Sequence, residues 1–109
     1  MQLRPIEWLG DSRERLRDWP KAARYRAGVE LRLVQSGANP TDWKPFATVG
    51  PGVVEVRISA GGQFRIFLVA RFDDAVFVLH SFSKKSQKTS QQDVDLARKR
   101  YSELKESRR

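Results

Sequence analysis

Apolar residues alternate with other residues through the middle of the chain, at positions 53–58 and 64–69, and a third apolar run follows at 75–82. Because successive side chains of a strand point to opposite faces of a sheet, this pattern predicts three β-strands. The connections are short, with a Ser-Ala-Gly-Gly turn at 59–62 and an Asp-Asp pair at 73–74. Short turns join antiparallel neighbours, so the three strands are predicted to form an antiparallel meander.

Two helices are predicted ahead of the meander. Asp11, with Glu14 three residues later, has the spacing of a capping box and predicts a short helix over 12–19. Pro20 suits the first position of a second helix, and Gly37 suits its C-terminal cap. The apolar face expected for this second helix steps by three, four and four residues, through Ala22, Tyr25, Val29 and Leu33.

A last helix is predicted after the basic loop at 83–89. Ser90 can cap its first turn, because Asp93 stands at the capping-box spacing. Four residues would then form the stripe that faces the sheet: Val94, Ala97, Tyr101 and Leu104.

The two remaining segments are less regular. Residues 4–9 predict a short extended piece, and residues 39–52 contain three Pro and two Gly. Trp43, Phe46 and Val49 give this second segment apolar anchors, so we expect an ordered loop with room for a short edge strand. Together the elements predict one α+β domain over residues 1–109, with an N-terminal helical hairpin packed on an antiparallel sheet of three to four strands and a C-terminal helix.

Composition narrows the possible functions. The 109 residues include 21 Lys and Arg against 13 Asp and Glu, a net charge of +8, and residues 84–109 carry nine of those cations against four anions. The chain has no Cys, which excludes a metal site with thiolate ligands, and it has one His, which excludes a metal site with several histidines. The apolar runs are too short to cross a bilayer, and the first five residues do not resemble a signal peptide. We expect a cytoplasmic protein with no membrane partner that binds a polyanion such as RNA or DNA, or an acidic protein.

Two arginines stand inside predicted strands, Arg57 in the first and Arg65 in the second. A mid-strand Arg destabilises a sheet unless it faces solvent, a carboxylate or a bound anion. A pair with Glu55 or a solvent-facing position would explain either arginine alone. Two arginines on neighbouring strands, followed by Lys84 and Lys85, instead favour a cradle for phosphate, because several cations would converge there.

His80 and three tryptophans are the other chemically notable residues. A lone His in a strand is more often a hydrogen-bonded structural residue than a general base. Trp8, Trp19 and Trp43 could stack on nucleobases, but their apolar surroundings favour anchors of the core.

Four segments stand in order along nearly the whole chain: IEWLGDS at 6–12, VEVRI at 54–58, GQFRI at 62–66 and LHSFSKKSQKT at 79–89. The last contains the pattern F-x-K-K-x-x-K-T and leads to Asp93, Ala97 and Arg100. In these segments and in their order the chain resembles the phage-derived, HigB-like toxins of the RelE/ParE superfamily.

This resemblance implies the toxin of a type II toxin–antitoxin system, with a helix-turn-helix, HigA-like antitoxin as partner. It implies a metal-independent, cofactor-free endoribonuclease that cleaves mRNA on the ribosome, close to ribosomal RNA. Arg57 and Arg65 would bind the scissile phosphate, Lys84 and Lys85 would hold the RNA or transfer protons, and Lys88 and Arg100 would contact RNA. Several RelE-type enzymes carry a catalytic His or Tyr after the last strand; this chain has Lys84-Lys85 there, so the resemblance leaves acid and base open.

Two other functions remain compatible with the sequence. One is a toxin of the ParE kind, which poisons DNA gyrase and has no need of a phosphate cradle. The other is a non-catalytic RNA- or protein-binding domain left from a phage. The strand arginines and the Lys84-Lys85 pair favour the ribonuclease over the gyrase poison, whereas a small helix-turn-helix gene just downstream would count against the non-catalytic domain.

Overall fold

The computed structural model describes residues 3–108. Met1 and Gln2, two of the five residues that do not resemble a signal peptide, lie outside the described residues. Helices and a sheet combine in an α+β fold, as the sequence predicts. The elements are β1 (Ile6–Trp8), α1 (Ser12–Arg17), α2 (Lys21–Gln35), β2 (Trp43–Pro45), β3 (Val53–Ser59), β4 (Gln63–Val69), β5 (Val76–Ser83) and α3 (Gln91–Ser107).

Five strands form one sheet in the order β1-β5-β4-β3-β2. The meander β3-β4-β5 is confirmed, and β2 is the short edge strand for which the loop had room. The expected count of three to four strands is too low, and the sheet is mixed, because β1 pairs with β5 in parallel. A parallel neighbour needs a long crossover, which the intervening helices and strands provide, and such pairing leaves no mark in local periodicity.

Each face of the sheet carries its own apolar core. Helices α1 and α2 cover one face, as predicted, although the hairpin is not exact, because α1 packs on β5 and α2 on β3. Helix α3 covers the other face with the predicted stripe, whose four members are all buried. No helix among residues 3–108 combines the length and apolar character needed to cross a membrane.

The face that α2 buries differs from the predicted one. Tyr25, expected in the core, is 75% exposed. The helix buries a second apolar line, offset from the predicted one by one or two residues, whose two alanines are small enough for close packing on the sheet. This line consists of Ala23, Ala27, Leu31 and Val34, together with the buried carboxylate of Glu30.

Helix starts are partly as predicted. Ser90 caps α3 by accepting a hydrogen bond from the backbone N–H of Asp93, 3.1 Å away. The capping box predicted for α1 is absent, because the Asp11 side chain instead accepts hydrogen bonds from Arg15 and Arg100. Pro20 precedes α2 rather than opening it, and Gly37 ends the helix with a φ of 91°, which favours glycine.

Candidate functional site

Strand register gathers charged side chains on the α3 face of the sheet. Arg57 lies directly opposite Arg65 on the neighbouring strand, and Glu55 lies directly opposite Lys44 on β2. Lys84 follows β5 with the same parity as Phe82, the residue opposite Arg65. We call Lys44, Arg57, Arg65 and Lys84 the cation cluster.

Arg65 is the most buried member of the cluster, with 8% of its surface exposed. Its Nη1 donates to the backbone oxygen of Phe64, 2.9 Å away, and to the side-chain oxygen of Gln63 at 3.4 Å. Its Nε is buried and has no hydrogen-bond partner among the described residues. Burial first, and then the positive charge of Arg57, lower the pKa of Arg65. A buried cation with an unused N–H favours the approach of an anion.

Glu55 is the buried counter-ion of the cluster, with 1% of its surface exposed. Its Oε1 lies 3.4 Å from Nε of Arg57 and 3.9 Å from Nζ of Lys44. Its Oε2 accepts a hydrogen bond from the hydroxyl of Thr89 at 3.4 Å. The alternative that Arg57 pairs with Glu55 is therefore correct, and the pairing positions the Arg57 guanidinium beside Arg65.

Lys84 stands at the end of β5, where its backbone N–H donates to the carbonyl of Gln63, 2.7 Å away. Its pKa is lowered, first by burial and then by the charge of Arg65. Burial therefore lowers the pKa of Lys84 more than the neighbouring cations do. A lysine with a lowered pKa gives up its proton more readily, so that more of it is neutral near the working pH, as general acid–base chemistry requires.

Lys84 separates two concavities of the surface. The first, which we call the Arg65 groove, has a volume of about 470 Å³ and includes Lys85 at its rim. The second, the Phe46 groove, has a volume of about 440 Å³ and includes Lys44, Lys84 and Lys88. The Arg65 groove is lined by Gln63, Arg65, Lys84, Lys85, Ser86 and Gln87.

Arg100 is not brought to either groove. Its Nη1 donates to the carbonyl of Leu79, 2.9 Å away, and its Nη2 donates to Oδ1 of Asp11 at 2.6 Å. A Cβ atom at Gly10, whose φ is 55°, would collide with the guanidinium. The Arg100 side chain therefore ties α3 to β5 and to the turn before α1. The resemblance assigned this cation to RNA, whereas in the structure it stabilises the fold.

The histidine and tyrosine nearest the site are also held in the framework. His80 is fully buried, and its Nε2 lies 2.7 Å from Oδ1 of Asp93. Burial lowers the pKa of His80, although the hydrogen bond to Asp93 opposes that shift. Tyr101 is buried, and its hydroxyl donates to the carbonyl of Pro51, 2.6 Å away.

The three tryptophans differ in their surroundings. Trp19 is buried against Phe64, with ring centroids 4.8 Å apart, and Trp8 packs beside the same core. Both are anchors, as predicted. Trp43 is 37% exposed on the edge strand β2, so the expectation of a core anchor does not hold there.

Sequence reasoning missed Lys44 and underrated Glu55. Both reach the site through the β2–β3 register, which pairs them across the sheet edge. A single lysine in a Pro-rich loop gives no periodic signal, so only the proximity of a strand-like anchor such as Trp43 could have indicated the pairing.

A family model matches residues 14–102 and is described as Phage derived protein Gp49-like (DUF891). Because the match covers most of the chain, the protein belongs to this phage-derived, Gp49-like family, a toxin-like family of RelE/HigB type in toxin–antitoxin systems. The matched range includes every member of the cation cluster. No curated protein matches the chain significantly. Membership is compatible with the toxin of a toxin–antitoxin pair.

Proposed function

We propose that this protein is a HigB-like toxin that cleaves mRNA on the ribosome without a metal ion. The observation that carries the proposal is the direct opposition of Arg57 and Arg65 on neighbouring strands, beside the half-buried Lys84. Like charges directly opposite each other destabilise a sheet. Glu55 offsets part of this repulsion, and a bound phosphate would add a second counter-charge, so the arrangement is suited to a phosphodiester.

The reaction uses the 2′-hydroxyl of the RNA as nucleophile. The 2′-oxygen attacks the adjacent phosphorus, the bond from phosphorus to the 5′-oxygen breaks, and a 2′,3′-cyclic phosphate and a 5′-hydroxyl result. Arg65 and Arg57 stabilise the extra negative charge on the phosphoryl oxygens in the transition state. One group must accept the proton of the 2′-hydroxyl and one must supply a proton to the 5′-oxygen.

Lys84 suits one of the two proton transfers, because its lowered pKa brings its neutral form closer to working pH. Lys85 and Lys88 are exposed and hold the RNA backbone through charge. Glu55 is a positioning residue, since it orients Arg57 and Lys44 and is itself buried.

The proposed partners follow from this activity. A cognate helix-turn-helix antitoxin would neutralise the toxin, and the cations outside the grooves would contact ribosomal RNA in the cytoplasm. Net charge of +8 favours both contacts with nucleic acid and association with an acidic partner.

The test is analysis of RNA ends after the full-length protein acts on translating ribosomes. We expect cut mRNA only where translation is active, with 5′-hydroxyl ends downstream and cyclic phosphates upstream. Cutting that leaves 5′-phosphates would contradict the 2′-hydroxyl mechanism. Growth arrest with intact mRNA and trapped DNA gyrase would contradict the ribonuclease proposal as a whole.

A further inference from the structure

The Phe46 groove has a chemistry that the phosphate-binding argument does not use. Lys44, Lys84 and Lys88 supply charge along it, whereas Phe46 and Val94 supply apolar surface. Hydroxyl and amide groups complete the lining, from Thr48, Thr89, Gln87 and Gln91. An inorganic anion makes no favourable contact with apolar surface. This groove is therefore suited to a ligand with both a charged part and a flat apolar part.

Phe46 is held with part of its ring available to the groove. One side packs against Phe67, with ring centroids 4.8 Å apart, and the residue is half-buried at the border of the α3 core. The Nζ of Lys44 lies 5.4 Å from the centroid of the Phe46 ring, a cation–π contact. The ring is therefore fixed on one side by Phe67 and has the exposed Lys44 ammonium over it, so a base that stacks on the ring would take the place of that ammonium.

The two grooves are neighbours. Lys84 and Gln87 line both, so a ligand that places a phosphate at Arg65 has the Phe46 groove directly beyond Lys84. Thr89 joins the two sites through its hydrogen bond to Glu55, the counter-ion of the cluster. This proximity suits the two grooves to neighbouring parts of one molecule.

We propose that the Phe46 groove is a nucleobase subsite, which stacks a base of the nucleotide next to the phosphate bound at Arg65. This inference rests on the proposed function for its choice of RNA as ligand. Bases stack on aromatic rings and accept or donate hydrogen bonds at their edges, which the threonine and glutamine side chains can complete. An acidic peptide would use the lysines but would leave the aromatic surface without a partner.

The first test maps binding on the full-length, ¹⁵N-labelled protein. Adenosine 3′,5′-bisphosphate should shift the backbone amides of Phe46, Thr48 and Thr89 together with that of Arg65. Of these four amides, inorganic phosphate should shift only that of Arg65. If the nucleotide shifts no more amides than phosphate does, the proposal is overturned. Shifts of Thr48 and Thr89 by a hexaglutamate peptide but not by the nucleotide would overturn it as well.

The second test compares two phenylalanines that border the same core. Phe46→Leu keeps an apolar side chain but removes the stacking surface, whereas Phe72→Leu makes the same change at a half-buried position outside both grooves. Stacking of one base corresponds to a change in Kd of about tenfold. We expect Phe46→Leu to weaken binding of a short single-stranded RNA by about this factor, and Phe72→Leu to leave the Kd unchanged.

An RNA that lacks the stacked base separates the subsite from general weakening. Its Kd should be the same for the wild type and for Phe46→Leu. Equal binding of the complete RNA by both proteins, with matched melting temperatures, would overturn the proposal. Loss of binding at Phe46 combined with intact mRNA on ribosomes would support the subsite and contradict only the proposed ribonuclease.

Discussion

At the scale of single residues, the buried polar groups divide into those with partners and those without. Glu30 is buried but bridges Arg26, 2.7 Å away, to the hydroxyl of Thr41 at 2.9 Å. Among residues 3–108, Nε of Arg65, Nδ1 of His80 and Oγ of Ser81 are buried without a hydrogen-bond partner. Buried polar groups without partners lower stability and call for an explanation. In the proposed function a bound phosphate would give Arg65 its missing partner, whereas the bond from His80 to Asp93 uses Nε2 and leaves Nδ1 without one.

His80 makes stability depend on pH. Because burial lowers its pKa in the folded state, the unfolded chain binds a proton first as the pH falls below about 6.5. The stability is thus complete above this pH and is lost progressively below it, down to the lowered pKa of the folded state. We expect the free energy of unfolding to fall with a slope of at most about 1.4 kcal/mol per pH unit.

Urea unfolding between pH 7.5 and pH 5 measures this slope. His80→Gln removes the titrating ring, so the variant should show a flatter pH dependence than the wild type. Parallel curves for the two proteins would show that another group is responsible.

At the scale of elements, the bridge made by Arg100 links the two ends of the chain. It joins α3 to β5 and, through Asp11, to the turn before α1. Arg100 and Arg15 lower the pKa of Asp11 to about 2. The stability that Asp11 contributes is therefore present above about pH 3.8 and is lost as the pH falls towards 2.

Arg100→Ala should destabilise the fold without weakening RNA binding specifically. Removing the guanidinium leaves the carbonyl of Leu79 without this donor, a loss of about 1–3 kcal/mol. Arg98→Ala removes the same charge from an exposed position of α3 and is the matched control. Urea unfolding and RNA affinity are measured on both variants. If Arg100→Ala weakens RNA binding more than Arg98→Ala at equal stability, the role first assigned to it on the sequence is restored.

The elements also show what the sequence could predict. The stripe of α3 and the β3-β4-β5 meander follow from local periodicity, and both are confirmed. The buried face of α2 was missed because two apolar lines, one or two residues apart, both have the three- and four-residue steps of a helical face. The choice between them depends on the sheet beneath, which local pattern does not encode.

The site was predictable in part for a related reason. Arg57 and Arg65 could be paired because a short turn sets the register of their strands. Lys44 could not be paired with Glu55 from the sequence, because a long loop separates β2 from β3 and leaves their register open. The position of Arg100 at Asp11 depends on packing between residues 89 positions apart. No local spacing encodes such a contact.

At the scale of the whole molecule, charge is distributed unevenly along the chain. Residues 53–83 are neutral overall, with three cations and three anions, and they form the strands of the meander. The excess of positive charge is greatest after β5, where Lys84, Lys85 and Lys88 border the grooves. This distribution keeps the core neutral and concentrates the field at the proposed RNA site.

RNA affinity should therefore weaken steeply with salt. Each phosphate contact on a single strand contributes about −0.7 to the slope of log affinity against log salt. Lys85→Ala and Lys88→Ala should each reduce the magnitude of that slope by about 0.7. The measurement is RNA binding at several salt concentrations for the wild type and both variants. A wild-type affinity that does not change with salt would remove the electrostatic basis of the proposed site.

Cleavage of mRNA by Arg65→Ala on translating ribosomes tests the central claim most directly. Loss of one such donor in the transition state lowers the rate on the order of 10²–10³. The fold and the affinity for the antitoxin should survive, because the substitution removes a buried cation that faces another cation. Arg24→Ala, which removes the same charge from an exposed position of α2, should cleave at the wild-type rate. A folded Arg65→Ala protein that cuts mRNA as fast as the wild type would contradict the account.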